Sequence, residues 1–382
     1  MMEAILFISL FLPVYTYFIY PFILVIWGLF SNPKYQRDDA FTPSLTLLIS
    51  AYNEEKVIKD KLENSLALNY PKEKLEIIVA SESTDTTNQI VQQYIDKGII
   101  LKAYSGRLGK SATLYRTLPE TSGDIIVFSD ANALYRPESL RKLARHFIDP
   151  SVGCVIGSLQ YHSPNRSVGA KGEMLYWAYD LLLRKMANRI RGLIPGINGS
   201  IFALRKNLYL PIRQDRGDDF ELCTRAGIHG HAVLLEPEAI AEEIASETDK
   251  QQFKRKVRLV RWNLTSSLLL LVEALKNKKW AIAFQLTSHR LLRYWIPIFL
   301  FLALASTAIL ASGSKSFTLL LLLQVIFYGM GLLSLMASFL KLRLPSFLLI
   351  PSYFLMVNSA AAIALFNSGL GRIQTSTWQK QR

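Results

Sequence analysis

The sequence predicts an α/β domain with a mostly parallel sheet, flanked on both sides by transmembrane α-helices. Short apolar runs alternate with helical segments in the middle of the chain, and long apolar runs occupy both ends of its 382 residues. Strands that are apolar throughout and alternate with helices are typical of parallel sheets, because both faces of such a sheet are covered. An apolar run of about 20 residues is long enough to cross a bilayer as a helix.

The net charge of +14 is unevenly distributed along the chain. Residues 1–33 carry −1, residues 34–273 carry +4, and residues 274–382 carry +11 with no acidic residue. Basic residues between apolar runs mark the cytoplasmic edges of membrane helices. A nucleic-acid-binding protein would instead place its basic residues on the soluble domain, which is nearly neutral here. The charge pattern therefore favours a membrane protein and disfavours nucleic-acid binding.

Composition excludes two further classes. Half of the residues are hydrophobic, so the chain can bury enough apolar surface to fold, and disorder is excluded. The two cysteines, Cys154 and Cys223, are too few for a disulfide framework or a cysteine-rich zinc site.

Four apolar runs are candidates for membrane crossing: Ile5–Phe30, Tyr294–Leu310, Phe317–Leu340 and Ser346–Phe366. The first exceeds the length of a signal-peptide core and lacks a basic leader, so we expect a transmembrane helix. The last contains Pro351 and Asn358, and it either crosses the bilayer or re-enters it. Trp280–Tyr294 mixes basic with apolar residues, which fits a helix lying in the membrane interface.

The basic clusters at the ends of these runs place the middle domain in the cytoplasm, beneath a bacterial inner or plasma membrane. Four crossings would put the basic tail outside, whereas a re-entrant last run would keep it inside. The predicted organisation is an N-terminal transmembrane helix (1–33), an α/β domain (34–262), interfacial amphipathic helices (263–293), C-terminal transmembrane helices with two or three crossings (294–367) and a basic tail (368–382).

The α/β domain is predicted from four strands, each followed by a helix. The strands are Leu45–Tyr52, Leu75–Ala80, Ile99–Ala103 and Asp124–Ser129, and the helices are Glu54–Leu68, Thr84–Gly98, Lys110–Thr117 and Pro137–Phe147. Ligands of parallel sheets bind beyond the carboxyl ends of the strands, where three of these strands are followed by carboxylates. Asp130 and Asn132 there offer the hard oxygen ligands that Mg²⁺ or Mn²⁺ takes together with phosphate oxygens. Thr84 and Asp85 have helix capping as an equal alternative.

The segment Gly106–Ser111 contains Gly-Lys-Ser but is not the phosphate-binding loop of NTPases. That loop needs a glycine where this sequence has Tyr104. A glycine loop that opens a helix can still bind an anion, helped here by Arg107 and Lys110. A simple turn with solvated basic side chains explains the segment equally well.

Six short motifs occur in the order found in membrane-bound family 2 glycosyltransferases. They are Ser-Ala-Tyr-Asn-Glu-Glu (50–55), Ser-Thr-Asp (83–85), Gly-Lys-Ser (109–111), Asp-Ala-Asn (130–132), Gly-Asp-Asp-Phe-Glu-Leu (217–222) and Arg-Leu-Val-Arg-Trp (258–262). From about Pro43 to Trp262 the chain resembles the cellulose synthase, hyaluronan synthase and ceramide glucosyltransferase group. The resemblance implies a Rossmann-like GT-A fold and hexosyltransferase-type activity with inversion of the anomeric carbon.

The resemblance also implies a site for a nucleotide-sugar donor, most readily a UDP-sugar. Tyr52, Asn53 and Glu54 would border the base and ribose. Asp85 would hold the uracil, and Lys110 would lie near the donor.

The resemblance assigns metal binding and catalysis to the remaining motifs. Asp130 would begin the Asp-x-Asp motif that binds the diphosphate-bound Mg²⁺ or Mn²⁺. Asp219 matches the catalytic base, and Arg258, Arg261 and Trp262 match the (Gln/Arg)-x-x-Arg-Trp motif near the acceptor and the diphosphate.

Two residues have a second interpretation. Negative charge from Asp218 and Glu221 is expected to raise the pKa of the Asp219 carboxyl group. Asp218 is also a candidate cap of a helix Phe220–Gly227, and the two roles are compatible because the two Asp side chains point differently. Trp262 is alternatively an interfacial anchor.

Three departures from the family pattern bear on function. The metal motif ends in Asn132 rather than Asp, so metal binding rests on Asp130 and phosphate oxygens. Glu82 stands where an Asp is common. Arg258 replaces the Gln usual in processive synthases, which favours a lipid acceptor over chain elongation.

The sequence therefore predicts a membrane-embedded transferase that moves a sugar from a nucleotide-sugar to a lipid-linked or polysaccharide acceptor. Membrane lipids, a second copy of the chain or an export partner are the other expected partners. A processive synthase that also translocates its polymer is one alternative, although four spans are few for an enclosed pore. An inactive, nucleotide-sugar-binding membrane scaffold is the other.

Overall fold

The computed structural model describes residues 1–162, 179–197, 199–212, 216–244, 249–339 and 348–369. Within them an eight-stranded sheet has the order β3-β2-β1-β4-β7-β6-β8-β5. The strands are β1 Leu45–Ala51, β2 Leu75–Ser81, β3 Ile99–Ala103, β4 Ile125–Asp130, β5 Leu134–Tyr135, β6 Val152–His162, β7 Ile201–Arg205 and β8 Ala232–Ile244.

The first half of the sheet is parallel, as predicted. β1 pairs in parallel with β2 and with β4, and β2 pairs in parallel with β3. Ala51 stands opposite Ser81, and Ser50 stands opposite Asp130, so these strands end at one edge. Every residue of β1 is buried because alternate side chains enter the two apolar clusters on the two faces of the sheet. This arrangement brings the loops after β1, β2 and β4 together.

The second half of the sheet is mixed and was not predicted strand by strand. β7 pairs antiparallel with β4 and with β6, and β6 pairs in parallel with β8. The two-residue strand β5 pairs antiparallel with β8. The predicted fold class, a mostly parallel α/β sheet between apolar helices, is confirmed.

Three helices of the domain are shorter than predicted, Lys110–Thr117 has the predicted bounds, and the helix predicted at Phe220–Gly227 is longer. The helices are α3 Ile58–Leu66, α4 Thr87–Gln92, α5 Lys110–Thr117, α6 Ser139–Ala144, α7 at 179–188 and α8 Asp218–Ile228. The predicted helix Glu54–Leu68 begins four residues late and Thr84–Gly98 begins three residues late, because the residues before each helix bind the neighbouring loop. Short 3₁₀ turns at Ile95–Lys97 and Arg145–Ile148 replace the ends of two predicted helices.

The N-terminal apolar run is one helical stretch from Met2 to Phe30. It consists of α1 Met2–Val14 and α2 Tyr20–Phe30, joined by a π-helical turn at Tyr15–Ile19. The backbone N–H of Tyr20 bonds the carbonyl of Tyr15, five residues back. The wide turn lies between Pro13 and Pro21, the two residues that cannot donate a backbone hydrogen bond.

The C-terminal region consists of long helices. They are α9 Asp249–Lys276, α10 Trp280–Gln285, α11 Leu292–Ala311, α12 Lys315–Phe339 and α13 Leu349–Gly369. A π-helical turn at Leu286–Leu291 makes α10 and α11 one continuous helix. The boundaries expected at 262–263 and 293–294 therefore fall inside helices.

Four helices of the described residues are long and apolar enough to cross a membrane: Met2–Phe30, Trp280–Ala311, Lys315–Ala337 and Ile350–Ser368. They correspond to the four predicted apolar runs. The basic tail after residue 369 lies outside the described residues.

Candidate active site

Asp130 lies at the end of β4, in the centre of the carboxyl edge of the sheet. Its Oδ1 accepts a hydrogen bond from Lys110 Nζ at 2.6 Å, and its Oδ2 lies 3.2 Å from Ser200 Oγ. Lys110 begins α5, and Ser200 directly precedes β7. Three separate segments thus meet at one carboxylate.

Lys110 is surrounded by three carboxylates. Burial lowers the pKa of its amino group, but Asp130, Asp218 and Asp219 outweigh burial and raise that pKa above its usual value. These charges favour the protonated form of Lys110, which connects the end of β4 electrostatically with the start of α8.

Asp219 lies in the first turn of α8. Helix α8 begins at Asp218 and Gly217 occupies its cap position, without a side-chain cap, so the interpretation of Asp218 as the cap is wrong. The N–H of Phe220 donates to Asp219 Oδ1 at 2.8 Å. A Cβ atom placed on Gly199 would lie 2.7 Å from Asp219 Oδ2. The glycine thus lets backbone approach the carboxylate closely.

The pKa of the Asp219 carboxyl group is raised to about 6. Loss of hydration is the largest cause, and the charge of Asp218 is the next, while Lys110 opposes both. The expected contribution of Glu221 does not appear among these causes. Glu221 is instead buried between α8 and α9, where it pairs with Arg225 and accepts a hydrogen bond from Ser266.

Glu82 holds the glycine loop in place. Its buried carboxylate accepts backbone hydrogen bonds from Leu108 at 3.1 Å and Gly109 at 2.8 Å. These N–H groups open α5 and are the donors that an anion would need. Glu82 already occupies them, so Lys110 and Arg107 remain as the cationic groups of the loop.

Asn53 connects the loops after β1 and β2. Its backbone has a φ of +56°, a left-handed conformation that Asn tolerates better than most residues. Its Oδ1 accepts hydrogen bonds from the backbone N–H groups of Thr84 and Asp85, and its own N–H donates to Ser83. The N–H of Glu54 donates to Thr87 Oγ1 at 2.9 Å. The two loops therefore form one rigid surface.

Asp85 has one satisfied and one unsatisfied carboxylate oxygen. Oδ1 accepts the N–H and the hydroxyl of Thr87 at the start of α4, although Thr86 occupies the cap position of that helix, without a side-chain cap. Oδ2 is buried and has no hydrogen-bond partner among the described residues. Buried carboxylate oxygens rarely lack partners, so this atom indicates a ligand donor.

Tyr52 lies close to Arg107 at the mouth of this surface. The Arg107 guanidinium is 5.4 Å from the centre of the Tyr52 ring, within the range of a cation–π contact. The glycine loop after β3 and the loop after β1 thus face one another.

Asn132 follows Asp130 by two residues and is half-buried. No group of three His, Cys, Asp or Glu residues suited to a metal ion occurs among the described residues. Mg²⁺ commonly takes only one or two protein oxygens and completes its shell with substrate phosphates and water. The Asp130 carboxylate and the Asn132 amide fit that kind of site.

Arg258, Arg261 and Trp262 lie on α9. The Arg258 guanidinium is 5.1 Å from the Trp262 ring centre. The next residue, Asn263, places its Oδ1 3.2 Å from where a Cβ on Gly217 would be. This turn of α9 therefore lies beside the start of α8, although the described residues include no ion pair between Arg261 and Asp219.

Sequence reasoning missed Lys61, which lies beneath the Asp130 loop. It is fully buried on α3, donates to the carbonyl of Ala133 at 2.5 Å and lies 4.1 Å from the centre of the Tyr135 ring. Burial lowers the pKa of its amino group to about 7, against the charges of Asp130 and Glu243. Its position in the buried stripe of α3 was the available signal, since a lysine there interrupts an apolar face.

Four other missed residues complete this buried support. Asn64 bonds both backbone groups of Tyr135, at 2.8 Å each. The Tyr135 hydroxyl oxygen lies 3.0 Å from the carbonyl oxygen of Phe128 and 3.0 Å from that of Ser200, and it donates to these acceptors. Ser200 Oγ lies 2.6 Å from Glu243 Oε1. These contacts join residues that are distant in sequence, so no local sequence pattern predicts them.

The family model "Glycosyltransferase like family 2" matches residues 43–262, more than half of the chain. The probable glycosyltransferase YdaM of Bacillus subtilis (strain 168) is 30% identical over 279 residues, which cover 66% of this chain and 63% of that protein. The beta-monoglucosyldiacylglycerol synthase of Synechocystis is 33% identical over 131 residues, which cover 32% and 27%.

The poly-beta-1,6-N-acetyl-D-glucosamine synthase of Staphylococcus aureus is 22% identical over 262 residues, covering 67% of this chain and 63% of that protein. The chain thus spans less than two thirds of each of these relatives. Among solved structures, the mannosyltransferase PcManGT from Pyrobaculum calidifontis, in complex with GDP-Man and Mn²⁺, is similar with a TM-score of 0.71 and 19% identity. That similarity covers 97% of this chain and all of the other, and it confirms the fold. With the matched domain covering more than half of its length, the chain belongs to glycosyltransferase family 2.

Proposed function

We propose that the chain is a membrane-embedded, inverting glycosyltransferase that moves a sugar from a nucleotide-sugar to an acceptor at the membrane. The observation that carries this proposal is the grouping of Asp130, Lys110 and Asp219 at the carboxyl edge of the sheet. A diphosphate leaving group needs cations, and an attacking hydroxyl needs a base. The grouping offers both within one site.

The nucleotide base is proposed to bind between Tyr52 and Asp85. The unpartnered Oδ2 of Asp85 is a candidate acceptor for a ligand N–H. Every nucleobase offers such a donor on its pairing edge, through a ring N–H in uracil and guanine and through the exocyclic amino group in adenine and cytosine. The preference for a UDP-sugar therefore rests on the family resemblance. The rigid contacts of Asn53 and the backbone of Glu54 hold this surface in place.

The diphosphate is proposed to bind above Asp130. Asp130 and Asn132 would hold Mg²⁺ or Mn²⁺, which supplies positive charge to the departing diphosphate when bound. Lys110 adds a fixed positive charge that burial strengthens. Glu82 orients the loop that carries Lys110. The family resemblance adds Arg258 and Arg261 to this cationic group, with Trp262 beside the acceptor.

Asp219 is the proposed general base. As the acceptor oxygen forms its bond to the anomeric carbon, the bond from that carbon to the diphosphate oxygen breaks on the opposite face. The acceptor proton moves to Asp219. A carboxylate with a pKa near 6 is ionised at neutral pH and yet basic enough to take a proton in the transition state.

The acceptor is proposed to be lipid-linked and to reach the site from the bilayer. The support is the four long apolar helices and the basic residues at their ends, which favour a cytoplasmic α/β domain at 34–262. One relative is named as a synthase of a glucosyldiacylglycerol, a lipid product. Another is named as a synthase of a polysaccharide, and that name supports a processive synthase as the second candidate.

The decisive experiment offers UDP- and GDP-sugars with Mg²⁺ or Mn²⁺ and membrane lipid extract to the full chain in nanodiscs. The released nucleoside diphosphate is measured for the wild type, for Asp219→Asn and for Asp218→Asn. We expect release from one donor, abolished in Asp219→Asn and retained at a reduced level in Asp218→Asn. Product length separates single addition from polymerisation.

Two results would contradict the proposal. Release that persists in Asp219→Asn would remove this residue as the base. Metal-dependent binding of the donor without release of nucleoside diphosphate, in the presence of the membrane lipid extract, would favour the inactive scaffold instead.

A further inference from the structure

A cavity lies where the α/β domain meets the apolar helices. It has about 470 Å³ of empty space counted out to its open mouth, and α2, α7, α8 and the Trp280–Ala311 helix form its walls. The side chains that matter are Tyr20, Arg184, Thr224, Gln285 and Arg290. No motif of the proposed donor site lies in its wall apart from Phe220, the residue after Asp219.

Thr224 brings an unsatisfied hydroxyl to this cavity. The residue is fully buried, and its Oγ1 has no hydrogen-bond partner among the described residues. Thr224 lies one turn after Phe220 on α8, so both line the cavity, whereas Asp219 faces Gly199 and Gly217. A buried hydroxyl without a partner is unusual and indicates a bound polar group.

Arg290 brings an unpaired cation. Its guanidinium lies 5.1 Å from the Phe220 ring centre, and the described residues offer it no hydrogen bond or carboxylate. Arg184 and Gln285 are occupied: Arg184 pairs with Asp180 at 2.6 Å, and Gln285 bonds both backbone groups of Ile194. His289 also lines the wall, where its ring stacks on Tyr20. Arg290 and Thr224 together offer one positive charge and one hydroxyl, which suit a phosphate.

The surroundings determine what carries that phosphate. Two of the four walls, α2 and the Trp280–Ala311 helix, belong to candidate membrane spans. Tyr20, Leu24 and Leu183 add an apolar flank beside the charged group. A free sugar or nucleotide has no apolar chain to bury against this flank. A phosphate attached to an acyl or prenyl chain can bind the charged group and also bury its chain against the apolar side chains.

We propose that this cavity binds the phosphate headgroup of a membrane lipid through Arg290 and Thr224. The inference rests on the membrane location proposed above but not on the transfer reaction. Two lipids share the required chemistry: a phospholipid of the bilayer, bound as a fixed ligand, and a lipid phosphate that is itself the acceptor.

The test measures binding to the full chain in detergent by native mass spectrometry and by the shift of the unfolding temperature. The probes are dioctanoyl phosphatidylglycerol, dioctanoylglycerol, which lacks the phosphate, and inorganic phosphate, which lacks the chains. The variants are Arg290→Gln and Thr224→Val. Lys276→Gln, which removes an exposed charge outside the cavity, is the matched control.

We expect phosphatidylglycerol to bind at least tenfold more tightly than either fragment. Arg290→Gln should weaken that binding about tenfold and Thr224→Val several-fold, with Lys276→Gln unchanged. Thr224→Val alone decides the outcome if Arg290→Gln does not fold. Equal binding of dioctanoylglycerol, or equal losses in Lys276→Gln and Arg290→Gln, would overturn the proposal.

A second arm identifies the source of the phosphate. The active donor is added to protein loaded with phosphatidylglycerol or with a short prenyl phosphate, and the lipid products are separated. A glycosylated lipid that disappears in Thr224→Val identifies an acceptor site. If Thr224→Val weakens lipid binding but neither lipid is glycosylated, the cavity holds a bound phospholipid. Both results support a lipid-phosphate site. Lipid binding that neither Arg290→Gln nor Thr224→Val changes would contradict it.

Discussion

Lys110 Nζ and Asp130 Oδ1 form an ion pair of 2.6 Å in a half-buried position at the carboxyl edge of the sheet. The amino group thus occupies the oxygen that the proposed metal ion would use. A metal and a lysine at one carboxylate compete, because each neutralises the same charge. Lys110 is expected to turn from Asp130 to the donor phosphates when the metal binds.

This competition gives a prediction for Lys110→Met. The variant should bind free Mn²⁺ more tightly than the wild type, because Asp130 loses its internal cation. Its turnover should fall about 100-fold, a magnitude typical of a lost charge contact to a leaving group. Mn²⁺ titration followed by electron paramagnetic resonance measures the first effect, and donor turnover measures the second. Weaker Mn²⁺ binding by the variant would show that Lys110 assists the metal rather than competing with it.

The raised pKa of Asp219 predicts the pH dependence of activity. A base must be ionised, so kcat/KM should fall tenfold per pH unit below about 6. Asp218 is one cause of the raised pKa, and Asp218→Asn should therefore move the acid limb of the profile to lower pH. An unmoved acid limb in Asp218→Asn would assign that limb to a different group.

The same pKa makes a prediction for stability. A carboxyl group whose pKa is higher in the folded than in the unfolded protein destabilises the fold at pH values above its unfolded pKa. That penalty is complete above about pH 6 and disappears as the pH falls to the ordinary value of 3.8. Asp219→Asn should therefore raise the unfolding temperature at pH 8 and leave it unchanged at pH 3.5. Thermal unfolding at both pH values measures the difference.

Gly199 offers a test that spares the catalytic side chains. A Cβ at this position would lie 2.7 Å from Asp219 Oδ2, closer than atoms can approach, so the carboxylate must turn away. Gly199→Ala should lower kcat about 100-fold, since small displacements of a catalytic group have effects of that order. Gly329→Ala is the matched control, because no described atom outside the adjoining turns of its own helix lies within 4 Å of the added Cβ. Equal activity of the two variants would remove the close approach from the mechanism.

The parallel half of the sheet was predictable because its strands are buried on both faces and therefore apolar throughout. The loops at their ends were predictable from polar residues that directly follow those strands. The second half of the sheet escaped prediction because β5 has only two residues and the apolar run of β8 is interrupted by Glu236, Pro237 and Glu238. Residues such as Glu82 were identified without their contacts, since the partners of Glu82 lie 26 and 27 residues away.

The contacts of Lys61 could not be predicted from local sequence, and this residue provides the last prediction. The burial of its amino group has no ion pair among the described residues to compensate it, and its pKa of about 7 reflects that cost. A lysine whose pKa is lower in the folded protein destabilises the fold below that pKa, and the penalty fades as the pH rises. Lys61→Met should therefore raise the unfolding temperature more at pH 6 than at pH 10.

The gain in stability should come with a loss of function if Lys61 positions the Asp130 loop. We expect Lys61→Met to weaken the binding of Mn²⁺ with the nucleotide diphosphate about tenfold, measured by calorimetry. Asn64→Ala is the matched comparison, because Asn64 holds Tyr135 of the same segment without a charge. Asn64→Ala should lose stability at every pH, since two backbone groups lose their partner. Unchanged ligand binding in Lys61→Met would assign the lysine to folding alone.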